Sequence, residues 1–229
     1  MTGQELKQYR KRNRLTQVQT AKRLGVSQTY LSLLEAGERR LTRELKQKLV
    51  TRLDVRPTEL PSMAGEYKIA KISDDQLTAD LSALGYPGFS HYKPSRPKNP
   101  ADVLLSALHA DNRDARLMEA LPWLVLAFPE MDWTALSRTA KMYDLQNRLG
   151  FIVSVARRLA ARVTEKTSVR KLKAVEAELE PSMLAREDTL CHDAMTNAER
   201  SWLVTNRTEE ARHWRILASL SPQLVRYAN

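Results

Sequence analysis

The stretch LGVSQTYLSLLEAGERR, residues 24–40, decides how the first quarter of this 229-residue chain folds. Gly25 is free to take the left-handed conformation that ends a helix, and Ser27 is a natural cap for the next one. The helix it opens runs through Glu35 and stops at Gly37. Leu31 and Leu34 share one side of it, three positions apart, as a buried helical face requires. The other side carries Gln28, Thr29, Ser32 and Leu33. None of these is charged, and three offer short hydrogen-bonding groups. An ordinary solvated helix face is richer in Lys and Glu. This one has the composition of a surface made to be read against another molecule.

Working outward, the same punctuation recurs. Thr2 with Glu5, and Thr16 with Gln19, have the three-residue spacing of capping boxes. They predict one helix to about residue 12 and another over about 17–24. Thr42 opens a fourth helix running to Leu53, and Pro57 starts a short fifth. Leu15, Ala21, Leu24, Val26, Leu31 and Leu34 form the expected inner face, closed by Leu45, Leu49, Val50 and Leu53. Small Ala21 allows a close crossing. Two short helices joined by a tight turn at residues 25–26 make a helix-turn-helix, whose second helix lies in the major groove of DNA.

The charge distribution supports that reading. The chain carries a net charge of +10. Residues 1–60 hold 14 Lys/Arg against 6 Asp/Glu, and the remaining residues hold 23 against 21. The positive field therefore belongs to the N-terminal quarter, which points to an anionic partner there. Gln bonds adenine at two atoms, and Thr meets either a base edge or a thymine methyl. Gln28, Thr29, Ser32 and Leu33 are accordingly the expected base-reading residues, with Leu33 limited to apolar contact. Arg10, Lys11, Arg12, Arg14, Lys22, Arg23, Arg39, Arg40 and Arg43 flank that face and suit phosphates. Gln17, at a helix start, offers its side chain and a free backbone N–H to a phosphate.

The combination LTQ, AxxLGVS, YLSxxExGxR and LDV over about residues 3–60 resembles the DNA-binding domain of the Xre/Cro-repressor family. The resemblance implies a five-helix domain that binds as a dimer, with the early residues of the third helix reading bases. Two positions depart from the pattern: Thr20 where an apolar residue is usual, and Asp54 where glycine is frequent. A helix-turn-helix that serves only protein contacts is the plainer alternative. Gln17, Gln28, Thr29 and the basic flanks speak against it.

The rest of the chain reads as helical. Glycine is scarce, with 7 residues, and straight-chain helix formers are abundant. SDDQLTADLSAL, capped by Ser73, predicts one short helix. LGYPGFSHYKPSRPKNP (residues 84–100) packs four prolines and two glycines into 17 residues and reads as a loop or linker. Asn99 before Pro100 then starts a helical body. Further starts are expected at Asp111, Asp132 and Asp144, with a kink at Pro122. A helix over about 165–180 ends before Pro181, and Thr196 with Glu199 forms a third capping box. No window alternates with the period of two that strands require. The fold class is therefore all-α: an N-terminal five-helix domain (1–65), a linker with a short helix (66–98), and a larger helical C-terminal domain (99–229) for dimerisation or for binding a partner or effector.

Chemistry beyond binding finds little support. His91, His109, His192 and His213 with the single Cys191 give no zinc-ligand spacing, so no metal and no cofactor are expected. One cysteine makes no disulfide and suits a reducing compartment. A self-cleaving repressor would need a β-rich C-terminal domain, and a phosphate-binding loop would need more glycine. No catalytic constellation stands out, so the chain is not expected to be an enzyme. The N-terminus has no apolar signal core, and no run approaches the ~18 apolar residues of a membrane span. A cytoplasmic, nucleoid-associated place is expected.

In the body, EALPWLVLAFPEMDW (residues 119–133) and the polar groups beside the apolar face that follows mark a partner or effector surface: Trp123, Trp133, Tyr143, Asn147 and Arg148. The plainer reading is helical core, with Tyr143, Asn147 and Arg148 bonding buried backbone. The leading functional expectation is a repressor that binds double-stranded operator DNA as a homodimer. A body this large exceeds a dimerisation arm, so it is expected to bind something more. The chain would autoregulate its operon as an antitoxin and bind a co-encoded toxin. The alternative is a stand-alone repressor whose C-terminal domain senses a small ligand.

Overall fold

A computed structural model describes residues 2–53, 55–60, 69–223 and 225, less the side chains of Arg43, Lys46, Gln47 and Val50. The expected core place of Val50, the phosphate contact assigned to Arg43 and the departure at Asp54 lie outside the described residues. The described residues fall into two compact units. The first holds residues 2–60 with 96–99, and the second holds 69–95 with 100 onward.

The first unit contains α1 (Gly3–Arg12), α2 (Gln17–Leu24), α3 (Gln28–Ala36) and α4 (Arg43–Leu53), followed by a 3-10 turn at Pro57–Glu59. That turn stands where the short fifth helix was expected. Both capping boxes form: Thr2 with Glu5, and Thr16 with Gln19. Gly25 (φ 67°) and Gly37 (φ 82°) end α2 and α3 in the left-handed region, where a Cβ would be strained. Leu6, Tyr9, Ala21, Leu24, Leu31, Leu34, Leu45, Leu49, Leu53 and Val55 make its core. The Tyr9 hydroxyl donates to the Leu53 carbonyl at 2.6 Å, so the buried ring brings no unmet polar group inside. Asn99 donates from its amide to the carbonyls of Thr58 (3.1 Å) and Leu60 (2.8 Å).

Among its described residues the second unit is mainly helical, with one two-residue parallel ladder. Its helices are α5 (Asp74–Ala83), α6 (Pro100–Leu108), α7 (Ala115–Glu119), α8 (Leu121–Ala127), α9 (Trp133–Met142), α10 (Gln146–Arg162), α11 (Lys166–Leu179), α12 (Asn197–Asn206) and α13 (Glu209–His213). α10 is the axis. From Gln146 to Ala156 every residue is buried, which an ordinary amphipathic surface helix would not allow. α8, α9, α11 and α13 pack around it. β1 (Asp188–Thr189) pairs in parallel with β2 (Ile216–Leu217).

Four local expectations change. Asp144, expected to start a helix, has φ 59° and lies before α10, whose cap position is Leu145 with no side-chain hydrogen bond. Asp114, not Asp111, caps α7, accepting from the Arg116 N–H at 2.8 Å. The helix breaks at Ala120 and restarts at Leu121 with Pro122 in its first turn, where a missing N–H costs nothing. Of the segment read as a linker, residues 69–95 are folded into the body. Leu77 and Leu81 of α5 are fully buried, and Tyr86 and Phe89 join the same core. The prolines shape the turn at Pro87–Phe89, but the aromatic residues between them have enough apolar area to hold it down. Ser95 closes the segment, donating its N–H to Ala79 (2.9 Å) and its hydroxyl to Asp80 (2.5 Å).

Candidate nucleic-acid interface

The candidate site is the exposed face of α3 with its basic flanks. α2 and α3 are joined at Gly25, where the Val26 N–H returns to the Ala21 carbonyl at 3.0 Å. Ser27 then accepts from the Tyr30 N–H at 3.1 Å and starts α3. Leu31 and Leu34 point inward and are fully buried. Gln28, Thr29 and Ser32 are left exposed together, with Leu33 half-buried beside them. The four side chains expected to read bases therefore share one accessible face. Arg14, Lys22, Arg23, Arg39 and Arg40 are all exposed in the same unit, as are Lys11 and Arg12. Arg12 pairs with Glu59 at 3.1 Å.

Two of the expected phosphate contacts are not free to act that way. Arg10 forms a bidentate pair with Glu35 of α3, Nε to Oε1 at 2.6 Å and Nη2 to Oε2 at 2.9 Å. Its Nη1 donates to the Leu15 carbonyl at 3.1 Å. The Gln17 side chain donates to Glu35 Oε2 at 3.0 Å. Glu35 itself is 3% exposed. One buried carboxylate therefore takes three N–H donors, from the end of α1 and the start of α2, and fixes both against α3. Burial pushes the Glu35 carboxyl up. Hydrogen bonds from Arg10 and Gln17 and the charges of Arg10 and Lys7 outweigh it and hold the group below its ordinary value. Arg10 is thus a clamp for the recognition helix. Of Gln17, the backbone N–H in the first turn of α2 remains suited to a phosphate, as the first N–H groups of a helix lack intrahelical partners.

Glu35 was legible only in part. It lies four residues after Leu31, on the buried side of α3, where a lone acid needs a partner. Its partner in α1 is twenty-five positions away, and no local pattern gives that distance. Thr20 is explained more simply: fully buried, it donates its hydroxyl to the carbonyl of Thr16, the cap residue of its helix, at 2.9 Å. Val18, in the first turn of α2, is 58% exposed.

The surface expected in the body does not form as one patch. Asn147 is fully buried and exchanges two hydrogen bonds with Leu184, donating to its carbonyl at 3.1 Å and accepting from its N–H at 2.8 Å. Arg148 is buried too. It pairs bidentately with Asp188 (2.8 and 2.9 Å) and donates to the carbonyls of Leu108 (2.9 Å) and Ala110 (2.8 Å). Both are internal struts, because α10 carries them into the core rather than along its edge. Trp123 is half-buried and packs on Tyr86, with ring centroids 5.1 Å apart. Trp133 donates its indole N–H to the Pro129 carbonyl at 3.1 Å. Tyr143 sits edge-on to His109 at 5.0 Å. Tyr143, His109 and Arg148 line one polar cleft; the two tryptophans are elsewhere.

Residues 6–60 match the family model of the helix-turn-helix. No curated protein and no solved structure matches the chain. The N-terminal unit is a helix-turn-helix domain of the Xre/Cro type, and the domain is that of a DNA-binding transcription regulator. Among the described residues, no helix is long and apolar enough to cross a membrane.

Proposed function

We propose, on the premise of a helix-turn-helix domain at residues 6–60, that the chain is a sequence-specific repressor. It binds operator DNA as a homodimer, with α3 of each copy in the major groove of a half-site. The observation that supports this reading is the clustering of Gln28, Thr29 and Ser32 on an exposed, uncharged face of a helix clamped by the Arg10–Glu35–Gln17 network. Rigid support matters because hydrogen-bond readout of base edges fails when the donors are misplaced. Arg14, Lys22, Arg23, Arg39 and Arg40 hold phosphates and set the affinity that salt screens. Two copies on one face of DNA place half-sites about 34–36 Å apart.

The same proposal gives the body a protein partner. The chain autoregulates its operon as an antitoxin, and its second unit binds the co-encoded toxin. It acts by binding and not by catalysis, and works in the cytoplasm on the nucleoid. The test has two stages. Selection of bound sequences from a random duplex pool should return a two-fold symmetric site. Light scattering of a complex pulled from the source cell should show a stoichiometric second protein encoded beside this one. An asymmetric or featureless pool result overturns the reading of α3. A homodimer carrying only DNA overturns the antitoxin role and leaves the repressor standing.

A further inference from the structure

α11 (Lys166–Leu179) carries its charges in the reverse of the usual order. Lys166, Arg170, Lys171 and Lys173 stand in its first half with no acid among them, and Glu176 and Glu178 stand near its end with no cation beside them. The free amides that open a helix make that end positive, so acids are favoured there and cations at the other end. α1 follows that rule, with Glu5 in its first turn and Arg10, Lys11 and Arg12 in its last. α11 instead opens on a lysine. Glu165, at its cap position, makes no capping hydrogen bond and accepts from the Ser168 hydroxyl at 2.8 Å.

Packing does not account for this order. Ser168, Leu172, Val175 and Leu179 are buried. Lys171 and Glu176 are engaged by Glu130 (2.6 Å) and Arg157 (2.8 Å). Lys166, Arg170 and Lys173 are exposed, and among the described residues none bonds or pairs with their side chains. At spacings of four and three they lie on one face, where like charges repel. The rest of that face is Thr167, Ala174 and Ala177, also exposed. Residues 61–229 as a whole hold 23 Lys/Arg against 21 Asp/Glu, so three cations together with no acid are not a sample of the general surface.

A face that weakens its helix and that the fold leaves unused calls for an anion, and its chemistry selects which one. Protein partners are held chiefly by aromatic and large apolar anchors set in pockets, and this face has neither. A phosphate backbone needs cations that can be closely approached, and Thr167, Ala174 and Ala177 leave these unobstructed. Seven positions at about 1.5 Å each put Lys166 about 10 Å from Lys173 along the axis. One strand of duplex DNA presents a phosphate about every 3.4 Å of its own axis. A helix laid along the strand thus sets three cations against about three phosphates. The same chain carries the helix-turn-helix domain. Duplex held there meets α11 at an effective concentration far above that of free DNA.

We infer that the outer face of α11 is a second DNA contact, in which Lys166, Arg170 and Lys173 bind the phosphate backbone without reading sequence. The inference rests on the chain's being a DNA-binding protein and not on the reading of bases by α3.

The test uses the full chain with a random-sequence duplex of about 60 base pairs, spanning several helical turns. Lysines are acetylated with and without DNA, and their modification is followed by mass spectrometry. Lys166 and Lys173 should be protected by DNA, whereas Lys71 and Lys93, exposed in the same unit, should not. Lys22 reports on the helix-turn-helix domain independently. Protection of Lys22 without Lys166 and Lys173 overturns the α11 contact and leaves the domain's role standing; the converse supports the contact and overturns that role. Equal protection of Lys71 and Lys93 overturns a defined face. Polyglutamate at the same charge concentration should protect Lys166 and Lys173 less than DNA does. Equal or greater protection would assign the face to an acidic polypeptide and overturn the DNA contact. The combined substitution Lys166→Gln, Arg170→Gln and Lys173→Gln changes only exposed, unpaired side chains, so circular dichroism should be unchanged. It should weaken binding on every sequence and lower the salt slope by about two to three, at about 0.9 for each phosphate released. A folded variant with the original slope overturns the proposal.

Discussion

Arg10 and Glu35 meet as a two-point ion pair inside the N-terminal unit, with 11% and 2% of their side chains exposed. The pair joins the last turn of α1 to the last turn of α3. Breaking it by Arg10→Met leaves a buried carboxylate held only by Gln17. Removing one partner of a buried pair costs about 3–5 kcal/mol. The expected outcome is a large rise in amide exchange across α1–α4, with the second unit unchanged, measured by mass spectrometry on the full chain. Exchange that rises equally in both units would show that the pair is not local to the domain.

Glu35 also gives this domain an acid limit. Its folded-state value is held below the ordinary 4.5. A carboxylate depressed on folding contributes stability that is complete above its unfolded value and is lost as pH falls toward the folded one. Protection of α1–α4 should therefore be flat from neutrality to about pH 5 and decline below the ordinary carboxyl range. Glu35→Gln should lower protection at neutral pH and remove the part of the acid decline that Glu35 supplies. A variant that keeps the full decline would assign it to other carboxylates.

Base reading and phosphate holding separate in a mutation pair. Gln28→Ala should weaken binding to the selected operator by about 1–3 kcal/mol and relax one base position, with little change on random DNA. Arg40→Ala should weaken binding on every sequence and reduce the salt slope by about one. Anisotropy titrations on both duplexes at several salt concentrations measure all four quantities. An equal loss on operator and random DNA for Gln28→Ala would remove it from the base-reading set.

Most of the N-terminal unit was legible because its signals are local. Thr2 with Glu5, Thr16 with Gln19, and the left-handed Gly25 and Gly37 are each decided within a few residues. The exposure of Gln28, Thr29 and Ser32 follows from the period that buries Leu31 and Leu34. Arg10 was misread because an arginine near a basic face looks like a phosphate contact until its distant acid is known. The body shows the same limit. Asn147 and Arg148 read either as bonding buried backbone or as marking an interface, and the partners that decide for the first, Leu184 and Asp188, are about forty positions away. Prolines around Tyr86 and Phe89 signal a loop or linker; the structure has an irregular loop whose aromatic residues are buried, which the prolines do not reveal.

Arg148 is the strut whose loss the body should feel most. It satisfies Asp188 and the carbonyls of Leu108 and Ala110, and lies 3.5 Å from the Cys191 sulfur. Arg148→Lys preserves charge but has no planar fork, so it cannot serve both sides. The expected outcome is a loss of at least about 2 kcal/mol in urea unfolding of the body, from unmet buried acceptors. Arg148→Met should cost more, because Asp188 is left without its cation. Cys191 provides an independent readout. Burial raises its thiol to about 11, so it should resist alkylation at neutral pH in the native protein and react on the timescale of unfolding in both variants.

Gly150 tests the packing of α10 against the C-terminal segment. A Cβ added there would stand 2.3 Å from Cζ3 and 2.4 Å from Cε3 of Trp214. Trp214 is fully buried and cannot swing aside. In an open helix, Gly→Ala gains about 1 kcal/mol. Here overpacking costs about 1–3 kcal/mol, and a contact this short falls at the upper end, so the clash should win. Gly150→Ala is expected to lower the melting temperature of the body. In a Trp214→Leu background the six-membered ring is gone, and the same substitution should become neutral or stabilising. The double-mutant cycle measures that coupling. A coupling near zero would mean that α10 and Trp214 do not meet at Gly150 in solution.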